Sequence, residues 1–350
     1  MTIQLQAISH SFGQHQVLKG VSLSLEAGEI LCVIGASGSG KSTLLRIIAG
    51  LEPLQQGEVL FDGEVLAAPN YCPPPEQRPI GLVFQDHALF PHLTVAENVG
   101  FGLTRLNAES RRQEVESQLA SVGLSDLARR YPHTLSGGQQ QRIALIRALA
   151  TRPRVMLLDE PFASVDTPLR RQLRQDARRR LRLAATTTIM VTHDPEEAMA
   201  MADKILVLAE GMAVQIGTPH ELWRTPAHPF VAETIAGLQS IVGVIHGDQV
   251  VTAFGNIPWQ NLRNPPPKID GQDIALGVRG SDIGVSWDLS RDQGHHRIED
   301  IRFDGQHWSG LIRAEETELR VSLPMPPEET AEPAAMVNLS FTDVEATVYN

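Results

Sequence analysis

The sequence predicts an α/β domain built on a parallel sheet, followed by a small all-β accessory domain. Three observations predict it. Short apolar runs, "EILCVIG", "VMLLDE" and "TTTIMVTHD", alternate with helical stretches, the pattern of buried parallel strands joined by crossover helices. A glycine-rich stretch separates the first run from "STLLRIIAGL", which reads as a helix stopped at Gly50. Beyond about Leu238 helical spacing gives way to β-rich runs such as "IVGVIHG", "DIALGVRG", "LRVSLP" and "VNLSFTDVEATVYN", set among Gly, Pro and Asp clusters.

Each element follows in order. "IQLQAIS" and "VSLSL" alternate apolar and polar residues, so the chain opens on strands. A more polar helical region runs from about Ala88 to Tyr131. "LRRQLRQDARRRLRL", Leu169 to Leu183, puts Leu169, Leu173, Ala177 and Leu181 on one helical face and arginines on the others, the pattern of a solvated amphipathic helix. "PHELWRTPAHPFVAETIAG" is the expected helical connector, which divides the chain into residues 1–238 and 239–350.

Composition narrows the function classes. With 350 residues, 42% hydrophobic and 20% charged, the chain can bury two cores. No apolar run reaches the ~18 residues that cross a bilayer, and "MTIQLQAISHSFG" lacks the basic and apolar segments of a signal peptide. A role at a membrane would therefore require docking to an embedded partner. Cys32 and Cys72 form no disulfide framework or metal-ligand spacing, Cys32 lies in a core-like run, and the chain reads as cytoplasmic. Residues 241–350 carry 8 Lys+Arg against 17 Asp+Glu, a net −9 of the chain's −11. An acidic tail on a near-neutral body argues against a nucleic-acid partner.

The motifs bring in phosphate chemistry. "GASGSGKS" fits G-x-x-x-x-G-K-[ST] between an apolar strand and a helix. The backbone N–H groups of Gly35, Ala36, Ser37, Gly38, Ser39 and Gly40 would close around phosphate oxygens at a helix N-terminus, with Lys41, Ser42 and Thr43 beginning the helix. Lys41 would reach the β- and γ-phosphates and Ser42 would bind Mg²⁺. Asp159, ending the apolar run "VMLLD", is placed to hold Mg²⁺, and the next residue, Glu160, is the candidate general base for an attacking water. ATP and Mg²⁺ are the expected cofactors. "LSGGQQQR" admits two readings: an ordinary helix start with Ser136 as N-cap, or a second phosphate-binding helix start.

This P-loop, followed by "LSGGQ" and then "LLDEP", resembles the ATP-binding subunit of ABC transporters, over roughly residues 1–240. The resemblance implies a P-loop ABC ATPase cassette with a helical subdomain at about 88–150. It also implies that Ser136, Gly137, Gly138 and Gln139 complete the γ-phosphate site of a partner copy when two cassettes close. Phe12, otherwise read as core, matches the aromatic residue that stacks on adenine. Gln85 matches the glutamine that senses Mg²⁺ and the attacking water, His193 the γ-phosphate switch histidine, and Asp166 the aspartate of the D-loop. The D-loop departs from the usual Ser-Ala-Leu-Asp, reading Ala163-Ser164-Val165-Asp166.

One cassette followed by an acidic β-rich tail resembles the ATPases of bacterial solute importers. The tail segment "GQDIALGVRGSDIGV" resembles their accessory domain, although Gly280-Ser281 stand where Pro-Glu is common. The wording of "VFQDHALFPHLTVAENVGFGL" and "LARRYPHTLSGGQQQRIALIRALA" fits the ferric-iron branch best, with sulfate, polyamine and sugar importers as alternatives. His295 and His296, adjacent in a polar stretch, read as solvent-exposed rather than as a metal site. The implied assembly is a homodimer of this chain on integral membrane permease subunits, served indirectly by a solute-binding protein. It would sit on the cytoplasmic face of the bacterial inner membrane. A soluble regulatory ABC ATPase is the remaining alternative.

Overall fold

Alternating burial sets the opening of the chain. β1 (Ile3–Phe12) and β2 (His15–Leu25) turn Ile3, Leu5, Ile8, Leu18, Val21 and Leu25 to one side and pair antiparallel through a tight hairpin. β3 (Ile30–Gly35) is buried at every position. Its Cys32 is core, as expected, and burial pushes the thiol pKa up. After the glycine-rich loop, α1 (Lys41–Ala49) buries Leu44, Leu45, Ile47 and Ile48 and ends at Gly50, whose φ of 81° suits glycine. β4 (Gln56–Phe61) and β5 (Glu64–Ala67) return to the first sheet, ordered β2-β1-β4-β5.

β6 (Ile80–Val83) leads into the helical part: α2 (Val95–Gly100), α3 (Ala108–Ser121) and α4 (Gly137–Ala150). Thr94 and Glu97 close a capping box on α2, and Asn107 caps α3. Val99, Leu119, Ile143 and Ile146 share one small core between these helices. β7 (Val155–Asp159), α5 (Thr167–Leu183), β8 (Thr187–Val191), α6 (Pro195–Met201), β9 (Lys204–Ala209), β10 (Met212–Gly217) and α7 (Pro219–Arg224) complete this part. On α5, Leu173, Ala177 and Leu181 are buried, as their spacing predicts.

The second sheet runs β10-β9-β3-β8-β7-β6, parallel throughout except for β10. Parallel pairing puts the carboxyl ends of β3, β8, β7 and β6 side by side at one edge. In open α/β sheets that edge is where ligands bind.

The structure is a computed structural model that describes residues 2–163, 167–288, 296–303, 305, 307–314, 317–325, 336–342 and 344–346. It divides into two units, Met1–Thr225 and Pro226–Asn350. The connector that the sequence reading groups with residues 1–238 therefore falls mostly in the second unit. Its helix α8 (Pro229–Thr234) is followed by Ala236, whose carbonyl accepts from the Arg279 Nε at 2.8 Å. Among its described residues the second unit is otherwise β-rich, with a six-stranded and a five-stranded sheet that share one core including Ile241, Leu276, Ile298 and Leu319. The fold is the expected one: a mixed α/β cassette with a helical part and an all-β C-terminal region.

Candidate active site

The loop after β3 is shaped by its glycines. Gly38 and Gly40 have φ of 82° and 101°, a region that side chains with a Cβ avoid. A Cβ on Gly35 would lie 2.2 Å from the Leu208 carbonyl oxygen of β9, so the chain must be bare where the two strands converge. At Gly38 a Cβ would meet nothing within 4 Å, so the loop is open on that side. Ser39 is buried with its hydroxyl unpartnered. Lys41, 7% exposed, donates from Nζ to the carbonyls of Gly35 at 2.8 Å and Ala36 at 2.9 Å. Burial lowers its pKa, and the nearby charges of Glu160 and Asp159 oppose that shift.

Asp159 ends β7 directly opposite this loop. Burial raises its pKa, as does the charge of Glu160, while Arg46, the hydroxyl of Ser42 hydrogen-bonded to it and Lys41 act in the other direction. Two oxygen groups expected to hold Mg²⁺, on Ser42 and Asp159, are thus already together, and both are of the hard-donor kind that Mg²⁺ takes. The residues present fit the ion. The open cradle at Gly38, the buried ammonium and the N-terminus of α1 fit a phosphate chain equally well.

Glu160 stands at φ 43°, a left-handed conformation unusual for a residue with a long side chain. Its N–H donates to the Val191 carbonyl at 3.0 Å, which ties the turn after β7 to the end of β8. Two residues beyond Val191 comes His193, whose Nδ1 lies 3.0 Å from Glu160 Oε2. When the carboxylate is ionised it can only accept, and Nδ1 is then the donor of the pair. The sequence gives Glu160 and His193 separate parts; their direct bond depends on the adjacency of β7 and β8, which spacing along the chain does not reveal.

Gln85 is exposed two residues beyond β6, at the same edge of the sheet. The turn after it is held from the helical part. Arg147 of α4 donates to the carbonyls of Ala88 at 2.8 Å and His87 at 3.2 Å, and its guanidinium lies 5.4 Å from the centre of the Phe90 ring. Both carbonyl residues have positive φ, 63° at His87 and 42° at Ala88. The sequence reading missed Arg147; a cation on an otherwise apolar helix turn was the available signal.

Phe12 is 52% exposed at the β1–β2 hairpin, which excludes the core reading, and its ring meets His10 edge-on at 4.7 Å. Ser136 is the N-cap of α4 and forms a capping box with Gln139: the Ser136 N–H donates to Gln139 Oε1 at 3.0 Å and the Gln139 N–H to Ser136 Oγ at 3.4 Å. The cap reading is therefore correct, yet Gly137 and Gly138 keep N–H groups with no intrahelical acceptor. Among the described residues no hydrogen bond or ion pair links Ser136–Gln139 to the Gly35–Thr43 loop. Asp166, with Ser164, Val165 and His295, lies outside the described residues. His296 Nε2 is 3.1 Å from the Phe254 carbonyl oxygen.

The family described as ABC transporter matches residues 18–163. The Fe(3+) ions import ATP-binding protein of Pseudomonas fluorescens is 51% identical over 330 residues, 87% of this chain and 92% of that protein. The chain belongs to the ABC transporter family. The sulfate/thiosulfate import ATP-binding protein of Photorhabdus laumondii is 43% identical over 313 residues, 83% of this chain and 85% of that one. A solved dimeric ATP-binding cassette in a post-hydrolysis state, bound to ADP and Pi, is 32% identical with a TM-score of 0.54. It covers 62% of this chain and 98% of its own. In this ABC transporter protein the phosphate-loop residues, Asp159, Glu160, His193 and Gln85 all stand at or just beyond the carboxyl ends of adjacent strands. The Ser136 helix start belongs to the helical part.

Proposed function

We propose that this chain is the ATP-hydrolysing subunit of an importer and that ferric iron is its cargo. The observation that carries the enzymatic part is the convergence of the open loop, the Ser42–Asp159 pair and the Glu160–His193 pair on one sheet edge. The backbone of Gly35–Gly40 and Lys41 would hold the triphosphate, Phe12 the adenine face, and Ser42, Asp159 and Gln85 the magnesium ion. Mg²⁺, when bound, neutralises charge on the phosphate oxygens. A water attacks the γ-phosphorus in line; Glu160 takes its proton as the new P–O bond forms and the bond to the β-phosphate oxygen breaks. His193 orients Glu160 through Nδ1, and Lys41 offsets the charge that develops on the leaving phosphate.

The exposed N–H groups of Gly137 and Gly138 support an in-trans role for Ser136–Gln139 in a homodimer, and the dimeric solved relative supports the same reading. The family resemblance gives the D-loop aspartate, Asp166, a part in the same closed dimer. Among the described residues no helix is long and apolar enough to cross a membrane. Permease subunits would supply the spans, docking near Gln85 and the helical part, with a solute-binding protein upstream of them. The assembly would lie on the cytoplasmic face of the inner membrane, and residues 239–350 would act as an accessory, regulatory domain.

Similarity to the ferric relative supports iron; the sulfate/thiosulfate relatives support sulfate as the second reading. Uptake of labelled ferric iron and of sulfate by cells with and without the chain tests the two, with Glu160→Gln as control. Loss of iron uptake alone supports the first; loss of sulfate uptake alone replaces the cargo and keeps the mechanism. Purified Glu160→Gln should bind ATP normally, lose roughly 10²–10⁴-fold in hydrolysis and elute as a dimer with ATP. A monomer under those conditions counts against closure.

A further inference from the structure

The arginine-rich helix has no part in the nucleotide site, and it is not a uniformly solvated surface. Arg171, Arg174, Arg178, Arg179 and Arg182 line a cavity of about 820 Å³ where α5 packs on α6, with Glu196 opposite. That volume lies within the range of small-ligand sites.

Its charges are only partly compensated. Arg178 and Arg182 share Asp203, and Arg179 pairs with Asp176, which also serves Arg180. Arg171 makes no ion pair among the described residues. Arg174 is the informative member. It is 8% exposed, its Nη1 is buried without a hydrogen-bond partner, and its Nη2 reaches Glu196 at 3.7 Å, a side chain 84% exposed; the buried carboxylate of Glu197 also feels its charge but takes its hydrogen bond from Thr192. A buried guanidinium with an idle donor is costly unless an acceptor arrives.

Geometry specifies the acceptor. Arg171, Arg174, Arg178 and Arg182 recur at helical spacing along one face and span about 16 Å of axis. One phosphate covers a single turn, so matching this row takes several oxyanions in succession. Guanidinium forks bind phosphate oxygens in pairs. We propose that the α5–α6 groove binds a polyphosphorylated anion at a site separate from the nucleotide loop. The α6 side of the groove is lined from Glu196, three residues beyond His193, so such a ligand would lie along the helix that follows the catalytic edge.

The test is titration calorimetry with inorganic tripolyphosphate on the full chain saturated with ADP, so that the loop site is filled. The proposal expects a further binding event that weakens at least tenfold, ~1.4 kcal/mol, in Arg174→Gln. The same loss is expected in the double variant Arg171→Gln/Arg179→Gln, whose exposed positions leave folding intact, with ADP affinity unchanged in both. Phosphatidylglycerol vesicles distinguish the two sources of phosphate. Sedimentation with vesicles that is lost in the same variants assigns the site to lipid headgroups; tripolyphosphate binding without sedimentation assigns it to a soluble ligand. No binding event beyond ADP, or equal affinity in wild type and both variants, overturns the proposal.

Discussion

Asp159 shows how a functional residue can work against the fold that carries it. Its carboxyl keeps its proton to higher pH than an unfolded aspartate, chiefly through burial. Between the ordinary carboxylate value, ~3.9, and the raised native one, the folded chain binds more protons than the unfolded chain. Stability contributed by this group therefore falls as pH rises through that window. Asp159→Asn should raise the melting temperature of the nucleotide-free protein at neutral pH, the gain vanishing near pH ~4, while magnesium-dependent hydrolysis is lost. A melting curve that stays below wild type at neutral pH would refute the burial argument. At this scale much of the site was legible: Lys41, Ser42, Asp159 and Glu160 stand in motifs whose spacing carries the chemistry. The left-handed backbone at Glu160, His87 and Ala88 was not, because no local signal marks a non-glycine residue there.

Between elements, buried arginines do work that no motif announces. Arg78 is 5% exposed and donates to the carbonyls of Ile47 at 2.9 Å and Ile48 at 2.7 Å, the last turn of α1, and through Nε to the Pro73 carbonyl at 2.9 Å. Its guanidinium also fills the space beside Gly50, where a Cβ would come within 2.5 Å of Nε. Arg78→Leu should cost on the order of 2–4 kcal/mol by leaving those acceptors unpaired. Nucleotide affinity should fall with it, since α1 carries Lys41 and Ser42; denaturant unfolding and ADP titration check both. At the start of α4, the capping box means that Ser136→Arg removes a cap worth ~1 kcal/mol and adds bulk. ATP affinity should stay near wild type while hydrolysis collapses. Equal loss of binding would show that Ser136 acts through its own chain's site. The order of the helices was readable from periodicity and Gly50, but Arg78 and Arg147 reach across 30 and 59 residues. Sequence distance hides such bonds.

Over the whole chain, Met1–Thr225 and Pro226–Asn350 hold hydrophobic cores with no residue in common. Each should melt as its own cooperative unit. Calorimetry should give two transitions, with Mg²⁺–ADP raising only the one that belongs to residues 1–225, by the mass action of a ligand that binds the native state. A single transition, shifted as a whole, would mean that the two units unfold together. The change of character near Leu238 was visible as a shift from helical to alternating patterns. The division itself comes earlier, because α8 carries helical spacing in sequence yet is followed by a turn tied to Arg279, more than forty residues downstream.

Lys41 carries one more consequence. An ammonium has three N–H vectors arranged as a tripod, and two of them are engaged with the carbonyls of Gly35 and Ala36. The third is free to point away from the backbone, so one head group both braces the loop and greets an incoming anion. A guanidinium is flat and directs its donors within a single plane. Arginine at position 41 would keep the charge and lose the tripod, forced to choose between the loop and its guest.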